Sequence, residues 1–236
     1  MPASLQTVRT ILFDVGNTLT YVDTEPIGRV ARELGLPVPA EELRRAEPIA
    51  RAAMYGHADG DPTARDVDRW GIFLTTLLEH VGIDGERIAT TRARLSEQFP
   101  VSDLWRRVEP GTHEVLATLR ERGYPLGVVS NSDGGVSELL EVVRLSGYFD
   151  AVVDSHRVGV EKPEPRIFQI ALEEMGRDAA HGVYVGDFYA VDVVGARNAG
   201  LEPILLDPLE LAGSVDCHVI RRLDELLTLL PPRAAS

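Results

Sequence analysis

Four short segments of the chain carry side chains that bind cations or phosphate groups. The segments are "ILFDVGNTL" with Asp14, "GVVSNSD" with Ser130 and Asn131, "EKPEPRIF" with Lys162, and "VYVGDFYAVD" with Asp187 and Asp192. Carboxylate oxygens are the ligands that Mg²⁺ prefers, whereas hydroxyl, ammonium and backbone N–H groups hold phosphate oxygens. A carboxylate that is free to attack phosphorus can also act as a covalent nucleophile. If the fold assembles these segments, their chemistry is that of a magnesium and phosphate site.

The lysine in the third segment stands out against the composition of the chain. Lys162 is the only lysine, so 23 of the 24 basic residues are arginine. Arginine therefore serves wherever a general positive charge is enough. Lysine differs because its charge sits on a compact ammonium group that fits a tight pocket. The bias predicts that Lys162 has a specific role that arginine cannot fill.

The elements that must position these residues are short apolar runs with the character of buried strands. The runs cover residues 10–14, 126–131, 151–155, 182–187 and 202–207. Helical patterns at 111–123, 133–147 and 164–176 separate the later runs, and this alternation is typical of a parallel sheet. We therefore predict an α/β fold with a doubly wound, mostly parallel, Rossmann-like sheet. The carboxyl ends of such strands meet in one crevice, where ligands bind.

The stretch between the first and second runs has a different character. It contains four helical patterns, at 25–35, 40–56, 64–82 and 85–99, and no convincing strand. About 80 residues is far too long for an ordinary crossover connection. We predict a helical cap domain at 21–104, inserted into a core formed by 1–20 and 105–236.

Composition narrows the partners and the compartment. The net charge of −13 disfavours binding to nucleic acid or to anionic membranes. No apolar run approaches the roughly 20 residues that span a bilayer. The single cysteine, Cys217, is predicted to be buried and fits a reducing cytoplasm. The expected protein is soluble and cytoplasmic, and either a monomer or a homodimer.

Taken in order, the four segments resemble the motifs of the haloacid dehalogenase superfamily, in the branch with a helical cap inserted after the first strand. The resemblance runs from about residue 8 to residue 207. It implies that Asp14 is the nucleophile and a Mg²⁺ ligand. It also implies that Gly16 offers its backbone carbonyl to Mg²⁺ and that Asp187 completes the metal site.

The same resemblance assigns the remaining residues. Ser130, Asn131 and Lys162 are expected to bind the phosphoryl group of a small phosphorylated metabolite. Thr18 is expected to shape the loop after the nucleophile. Asp192 is expected to orient Lys162 or a metal-bound water.

Gly16 departs from the pattern of the family's phosphatases, which carry an aspartate there as general acid and base. Glycine cannot transfer a proton, and loss of a general acid typically costs about 10²–10⁴-fold in rate. Asp23, Asp133 and His57 are candidate substitutes. A structural role is the simpler explanation for each, since Asp23 and Asp133 lie where helix N-caps are expected and His57 lies in a polar loop.

Three functions remain open. The first is a Mg²⁺-dependent phosphohydrolase, and the second is an inactive homologue that binds a phosphorylated ligand or a protein. The third is a 2-haloacid dehalogenase, which Asp187 disfavours because such enzymes work without metal. The superfamily's phosphonoacetaldehyde hydrolases need a cap lysine for a Schiff base, and residues 21–104 contain none.

Four residues of the helical stretch are candidate substrate contacts: Arg51, Tyr55, His57 and Trp70. Packing is the simpler explanation for Trp70, because apolar residues follow it at helical spacing. Arg51 is expected to be an exposed helix charge. The sequence does not identify the substrate.

Overall fold

The computed structural model describes residues 5–56 and 66–232. Its centre is a six-stranded sheet in which every pair of neighbouring strands is parallel. The strands are Thr10–Phe13 (β1), Leu126–Ser130 (β2), Ala151–Asp154 (β3), Gly182–Gly186 (β4), Glu202–Leu206 (β5) and His218–Ile220 (β6). Their order is β3-β2-β1-β4-β5-β6, so the direction of winding reverses between β1 and β4. The predicted doubly wound parallel sheet is confirmed, and the reversal marks the crevice where such sheets bind ligands.

The strands next to this reversal are short apolar runs. β1, β2 and β4 are buried along their whole length, as expected for parallel strands covered on both faces. Phe13 is in register with Val128 of β2 and with Val185 of β4. The carboxyl ends of these three strands therefore lie side by side.

The described residues divide into two compact units. One unit comprises the described parts of Met1–Tyr21 and Arg107–Ser236, and the other comprises those of Val22–Arg106. The second unit contains four α-helices and no strand within its described residues. They are Thr24–Glu33 (α1), Ala40–Gly56 (α2), Asp66–His80 (α3) and Gly85–Gln98 (α4). We call the first the sheet unit and the second the helical unit.

The described residues of the sheet unit contain six α-helices. They are Thr112–Glu121 (α5), Val136–Val142 (α6), Ser155–Val158 (α7), Pro165–Met175 (α8), Val194–Asn198 (α9) and Leu226–Leu229 (α10). A π-helical turn, Tyr189–Val193, leads into α9. None of the helices in the described ranges has the length and apolar character that crossing a bilayer requires.

The helical unit shows the contacts of three residues whose roles were predicted from the sequence. Trp70 stacks on Phe73 with ring centroids 5.3 Å apart and packs against the buried cluster of this unit. Asp23 caps α1, because its side chain accepts a hydrogen bond from the Glu25 N–H. The prediction that Arg51 is exposed was wrong. Its side chain is buried 3.5 Å from Glu47, one helical turn earlier, and the opposite charge compensates for its burial.

The sheet unit also corrects two predictions. Asp133 does not cap α6, whose N-cap is Gly135, and instead accepts a hydrogen bond from the Ser132 hydroxyl at 3.3 Å. The helix starts later than predicted because Gly134, with φ of 102°, turns the chain before it, and it also ends earlier, at Val142. Cys217 is buried, as predicted. His57, which the sequence offered as a proton donor, lies outside the described residues.

Candidate active site

The ends of β1, β2 and β4 bring the predicted site residues to one edge of the sheet. Asp14 directly follows β1, and its N–H donates to the Val185 carbonyl of β4 at 2.9 Å. Ser130 is the last residue of β2, and Asp187 directly follows β4. Asp14 and Ser130 are buried, and Asp187 is half-buried. The sheet therefore places a carboxylate and a hydroxyl on adjacent strands, where the sequence predicted them.

The loop after Asp14 is a tight turn held by one carbonyl. The Val15 carbonyl accepts hydrogen bonds from the N–H groups of Thr18, Leu19 and Thr20. Gly16 is half-buried within this turn. Thr18 is buried, and its hydroxyl has no hydrogen-bond partner among the described residues. The turn fixes the backbone around Gly16 without a contribution from a side chain at that position.

Lys162 lies at the centre of the site. Its side chain is 4% exposed, and its Nζ donates to Asp14 Oδ1 at 2.7 Å and to Asp192 Oδ1 at 2.8 Å. The third N–H of the ammonium donates to the Tyr184 hydroxyl at 2.9 Å. The only lysine of the chain is therefore a buried ammonium between two carboxylates.

Asn131 holds the backbone of the same lysine. Its Oδ1 accepts from the Lys162 N–H at 2.8 Å, and its Nδ2 donates to the Lys162 carbonyl at 3.0 Å. The side chain therefore joins the end of β2 to the loop that carries the ammonium. The role in phosphate binding stays a prediction for Asn131, whereas this positioning role was not foreseen from the sequence.

Asp192 joins Lys162 to the loop after β4. Its Oδ2 accepts from the backbone N–H groups of Asp187 at 3.1 Å and Phe188 at 2.9 Å, while Oδ1 accepts from the lysine. The approach to β4 is close, because a Cβ added at Gly186 would lie 2.4 Å from Asp192 Cγ. This contact explains the glycine in "VGD". Both carboxylate oxygens are bonded to the protein, which suits a residue that orients others.

Burial and charge shift the pKa values of this group. Burial raises the pKa of Asp14 from 3.8 to about 6; the attraction of Lys162 opposes this shift, and the negative charge of Asp192 adds to it. Burial disfavours the charged form of Lys162, but the charges of Asp14 and Asp192 outweigh it and raise the lysine pKa above its usual value. The lysine is therefore a fixed cation that two buried carboxylates share.

The same group has the donors of a divalent cation site. Asp14, Asp187 and Asp192 each offer a carboxylate oxygen, and these oxygens lie within 4.8 Å of one another. Three carboxylates and the Lys162 ammonium together leave two formal negative charges, which one divalent cation would neutralise. All the donors are oxygens, as Mg²⁺ prefers. The donor set therefore fits Mg²⁺, with Asp14 and Asp187 better suited than Asp192, whose oxygens are already bonded.

The contact between Tyr184 and Lys162 was not predicted from the sequence. Tyr184 occupies a buried position in β4, where the run "GVYVG" predicts only packing. The sequence did contain a sign of this contact: a phenol lies in an otherwise apolar buried strand, and a buried hydroxyl needs a hydrogen-bond partner. One sequence could not identify that partner, because Lys162 comes 22 residues earlier, in the loop between α7 and α8.

Comparison with known proteins agrees with this fold. A family model described as haloacid dehalogenase-like hydrolase matches residues 8–200. The chain is 32% identical to haloacid dehalogenase-like hydrolase domain-containing protein 3 of Bos taurus, with 94% of each chain covered. It is 30% identical to ribulose-1,5-bisphosphate 5-phosphatase of Halopiger xanaduensis, with 85% of each covered. A structure of the putative hydrolase YfnB of Bacillus subtilis, bound to magnesium, shares the fold with a TM-score of 0.67 and 20% identity, over 94% of this chain and 98% of that one.

Proposed function

Because the chain belongs to the haloacid dehalogenase-like hydrolase family, we propose that it is a Mg²⁺-dependent phosphohydrolase acting on a small phosphomonoester. The observation that carries this proposal is the buried ion pair between Asp14 and Lys162 beside two further carboxylates. A carboxylate held next to a fixed cation stays available as a nucleophile while the cation offsets the negative charge of an incoming phosphate.

The proposed reaction has two steps. In the first, Asp14 attacks phosphorus, the bond between phosphorus and the leaving oxygen breaks, and an aspartyl-phosphate forms. In the second, water attacks this phosphorus and restores the Asp14 carboxylate. Lys162 and the Ser130 hydroxyl stabilise the charge on the transferring group. Asn131 and Asp192 keep Lys162 in position through the hydrogen bonds described above.

Mg²⁺ would be held by Asp14, Asp187 and the backbone carbonyl of Gly16. When bound, it supplies positive charge that polarises the phosphoryl oxygens. Thr18 supports this arrangement by occupying the turn that follows Asp14. We also propose that the helical unit serves as a cap that restricts access to the site and excludes water.

Gly16 leaves the proposed mechanism without a general acid at the usual position. A side chain that donates a proton to the leaving oxygen is absent at this position. Turnover therefore favours substrates whose leaving group is stable as an anion, or relies on a proton carrier elsewhere. Asp23 is an unfavourable choice because its carboxylate caps α1.

The test is phosphate release from p-nitrophenyl phosphate, followed by a panel of small phosphomonoesters, each with Mg²⁺ and with EDTA. The panel includes sugar bisphosphates because the Halopiger relative is named for one. We expect turnover with Mg²⁺, none with EDTA, and none for Asp14→Asn. Magnesium binding without turnover on any substrate would favour the inactive binding module. Metal-independent halide release from 2-haloacids would contradict the proposal.

We further propose that the protein acts in the cytoplasm as a monomer or homodimer, with a phosphorylated metabolite as its partner and without nucleic acid or membrane. The net charge of −13 supports the last two points, because an acidic protein is repelled by polyanions.

A further inference from the structure

Tyr184 is a buried polar residue in the middle of the sheet. It lies in β4, is 1% exposed, and packs edge-to-face on Phe168 with ring centroids 4.9 Å apart. A phenylalanine would fill the same space without a hydroxyl to satisfy. Burial of a hydroxyl is costly unless it is hydrogen-bonded. The hydroxyl makes hydrogen bonds to Val129 and Lys162, and these bonds indicate why a tyrosine occupies this position.

The directions of both hydrogen bonds are fixed by the chemistry of the partners. The Val129 carbonyl, 2.8 Å from the Tyr184 hydroxyl, can only accept, so the tyrosine donates its single proton there. The Lys162 ammonium can only donate, so it gives an N–H to the tyrosine oxygen. Burial and the charges of Asp192 and Asp14 raise the pKa of Tyr184, which keeps the phenol protonated. The hydroxyl thus links the end of β2 to the ammonium.

The bond to Tyr184 completes the hydrogen bonding of the Lys162 ammonium. An ammonium has three N–H groups, and here they reach Asp14, Asp192 and Tyr184. Asp14 holds Nζ from the end of β1, and Asp192 holds it from the π-helical turn before α9. Tyr184 supplies the only neutral partner and ties Nζ to Val129, the neighbour of Ser130 on β2. Nζ is therefore fixed in three directions, relative to both the nucleophile and the phosphate-binding hydroxyl.

We propose that Tyr184 is a positioning residue of the active site, whose hydroxyl sets the place of the Lys162 ammonium relative to Asp14 and Ser130. The proposal rests on the proposed phosphohydrolase function for its effect on turnover. Its structural claim, that the hydroxyl fixes the ammonium, stands independently of any substrate.

The test uses Tyr184→Phe, which removes the hydroxyl and keeps the ring. A matched control is Tyr124→Phe, because Tyr124 is also a buried tyrosine of the sheet unit whose hydroxyl donates to a carbonyl, that of Pro231 at 2.9 Å. Each variant loses the bond that its hydroxyl donates to a carbonyl, but only Tyr184→Phe also loses the bond that Lys162 donates to the hydroxyl. A purely structural role predicts similar behaviour of the two variants.

The readout that does not depend on activity is NMR of lysine-labelled protein. Since Lys162 is the only lysine, the label gives one side-chain ammonium signal. We expect Tyr184→Phe to shift this signal and to speed its hydrogen exchange, and Tyr124→Phe to leave it unchanged. An unchanged signal in Tyr184→Phe overturns the proposal. If that variant does not fold, the wild type decides: a cross-peak between the ammonium protons and the Tyr184 ring supports the contact, and its absence overturns it.

The second readout is kinetic and is measured on the folded fraction. We expect kcat/KM of Tyr184→Phe to fall roughly ten- to a hundred-fold, as for loss of a hydrogen bond to a charged group, with Tyr124→Phe near wild type. A shifted lysine signal with unchanged kcat/KM contradicts a positioning role. If the wild type turns over no phosphomonoester, the proposed function fails, and the NMR result still decides whether Tyr184 fixes the ammonium.

Discussion

Gly186→Ala is the substitution whose effect follows most directly from the geometry of the site. The added Cβ would lie 2.4 Å from Asp192 Cγ and 2.5 Å from Asp192 Oδ2. Non-bonded carbon atoms pack at about 3.5–4.0 Å, so Asp192 must move by roughly 1 Å. That carboxylate holds Lys162 and the N–H groups of Asp187 and Phe188, and all three bonds are disturbed.

Two magnitudes follow from this displacement. Overpacking of a buried position costs about 1–3 kcal/mol of folding free energy. A misplacement of catalytic groups by about 1 Å costs on the order of 10²-fold in rate. We therefore expect Gly186→Ala to lower the free energy of unfolding by about 1–3 kcal/mol. We also expect kcat/KM, measured on the folded fraction, to fall about a hundred-fold.

Gly182→Ala is the matched control on the same strand. Its added Cβ would lie 2.4 Å from Leu201 Cδ2, the end of a flexible side chain, and the next nearest atom is the Ala179 carbonyl oxygen at 3.4 Å. This variant is expected to lose stability and to keep its kcat/KM. Denaturant unfolding and phosphate release are measured for both variants. A Gly186→Ala enzyme that is destabilised but fully active would refute the role of Asp192 in holding the site together.

Three further perturbations test the roles of individual groups. Gly16→Asp should raise the rate on alkyl phosphates with poor leaving groups, by up to about 10²–10⁴-fold, and change the p-nitrophenyl phosphate rate much less. Equal changes in the two rates would contradict this. Lys162→Arg keeps the charge but should lower kcat/KM by at least about 10²-fold, because a guanidinium does not fit the buried place of the ammonium; retained activity would argue against a compact pocket. In the metal-free protein, Asp14 should titrate with a pKa of about 6, and Mg²⁺ should lower it, which NMR of the carboxyl carbon measures. Since the folded pKa exceeds the unfolded value, the contribution of Asp14 to stability is lost as pH rises from about 4 through 6, and Asp14→Asn should remove that slope.

Much of the sheet could be predicted because each strand at its centre is a continuous apolar run. Such runs mark strands that are buried on both faces, and the polar residue after each run marks its carboxyl end. This logic located Asp14, Ser130 and Asp187 at one edge of the sheet. β6 escaped prediction because it has only three residues, too few to show a periodic pattern.

Side-chain partners were harder to predict than positions. Asn131 follows a strand within one of the family-like motifs, and it was therefore expected to bind phosphate. In the structure, the nitrogen and the oxygen of its side-chain amide each form a hydrogen bond with the backbone of Lys162. Arg51 and Tyr184 were misread or overlooked for the same reason, since their partners depend on which side chains face each other within the fold. Sequence periodicity predicts which face of a helix or strand a side chain lies on, but it does not predict which atom that side chain contacts.

The most direct test of the account is the fate of the phosphoryl group. Protein is mixed with Mg²⁺ and excess substrate, quenched in acid during turnover, and digested for mass spectrometry of the peptide that contains Asp14. We expect a phosphoryl group on Asp14 in the wild type, and none in Asp14→Asn or in the presence of EDTA. Phosphate release that continues in Asp14→Asn, with no phosphoryl group on this peptide in the wild type, would contradict the proposed mechanism.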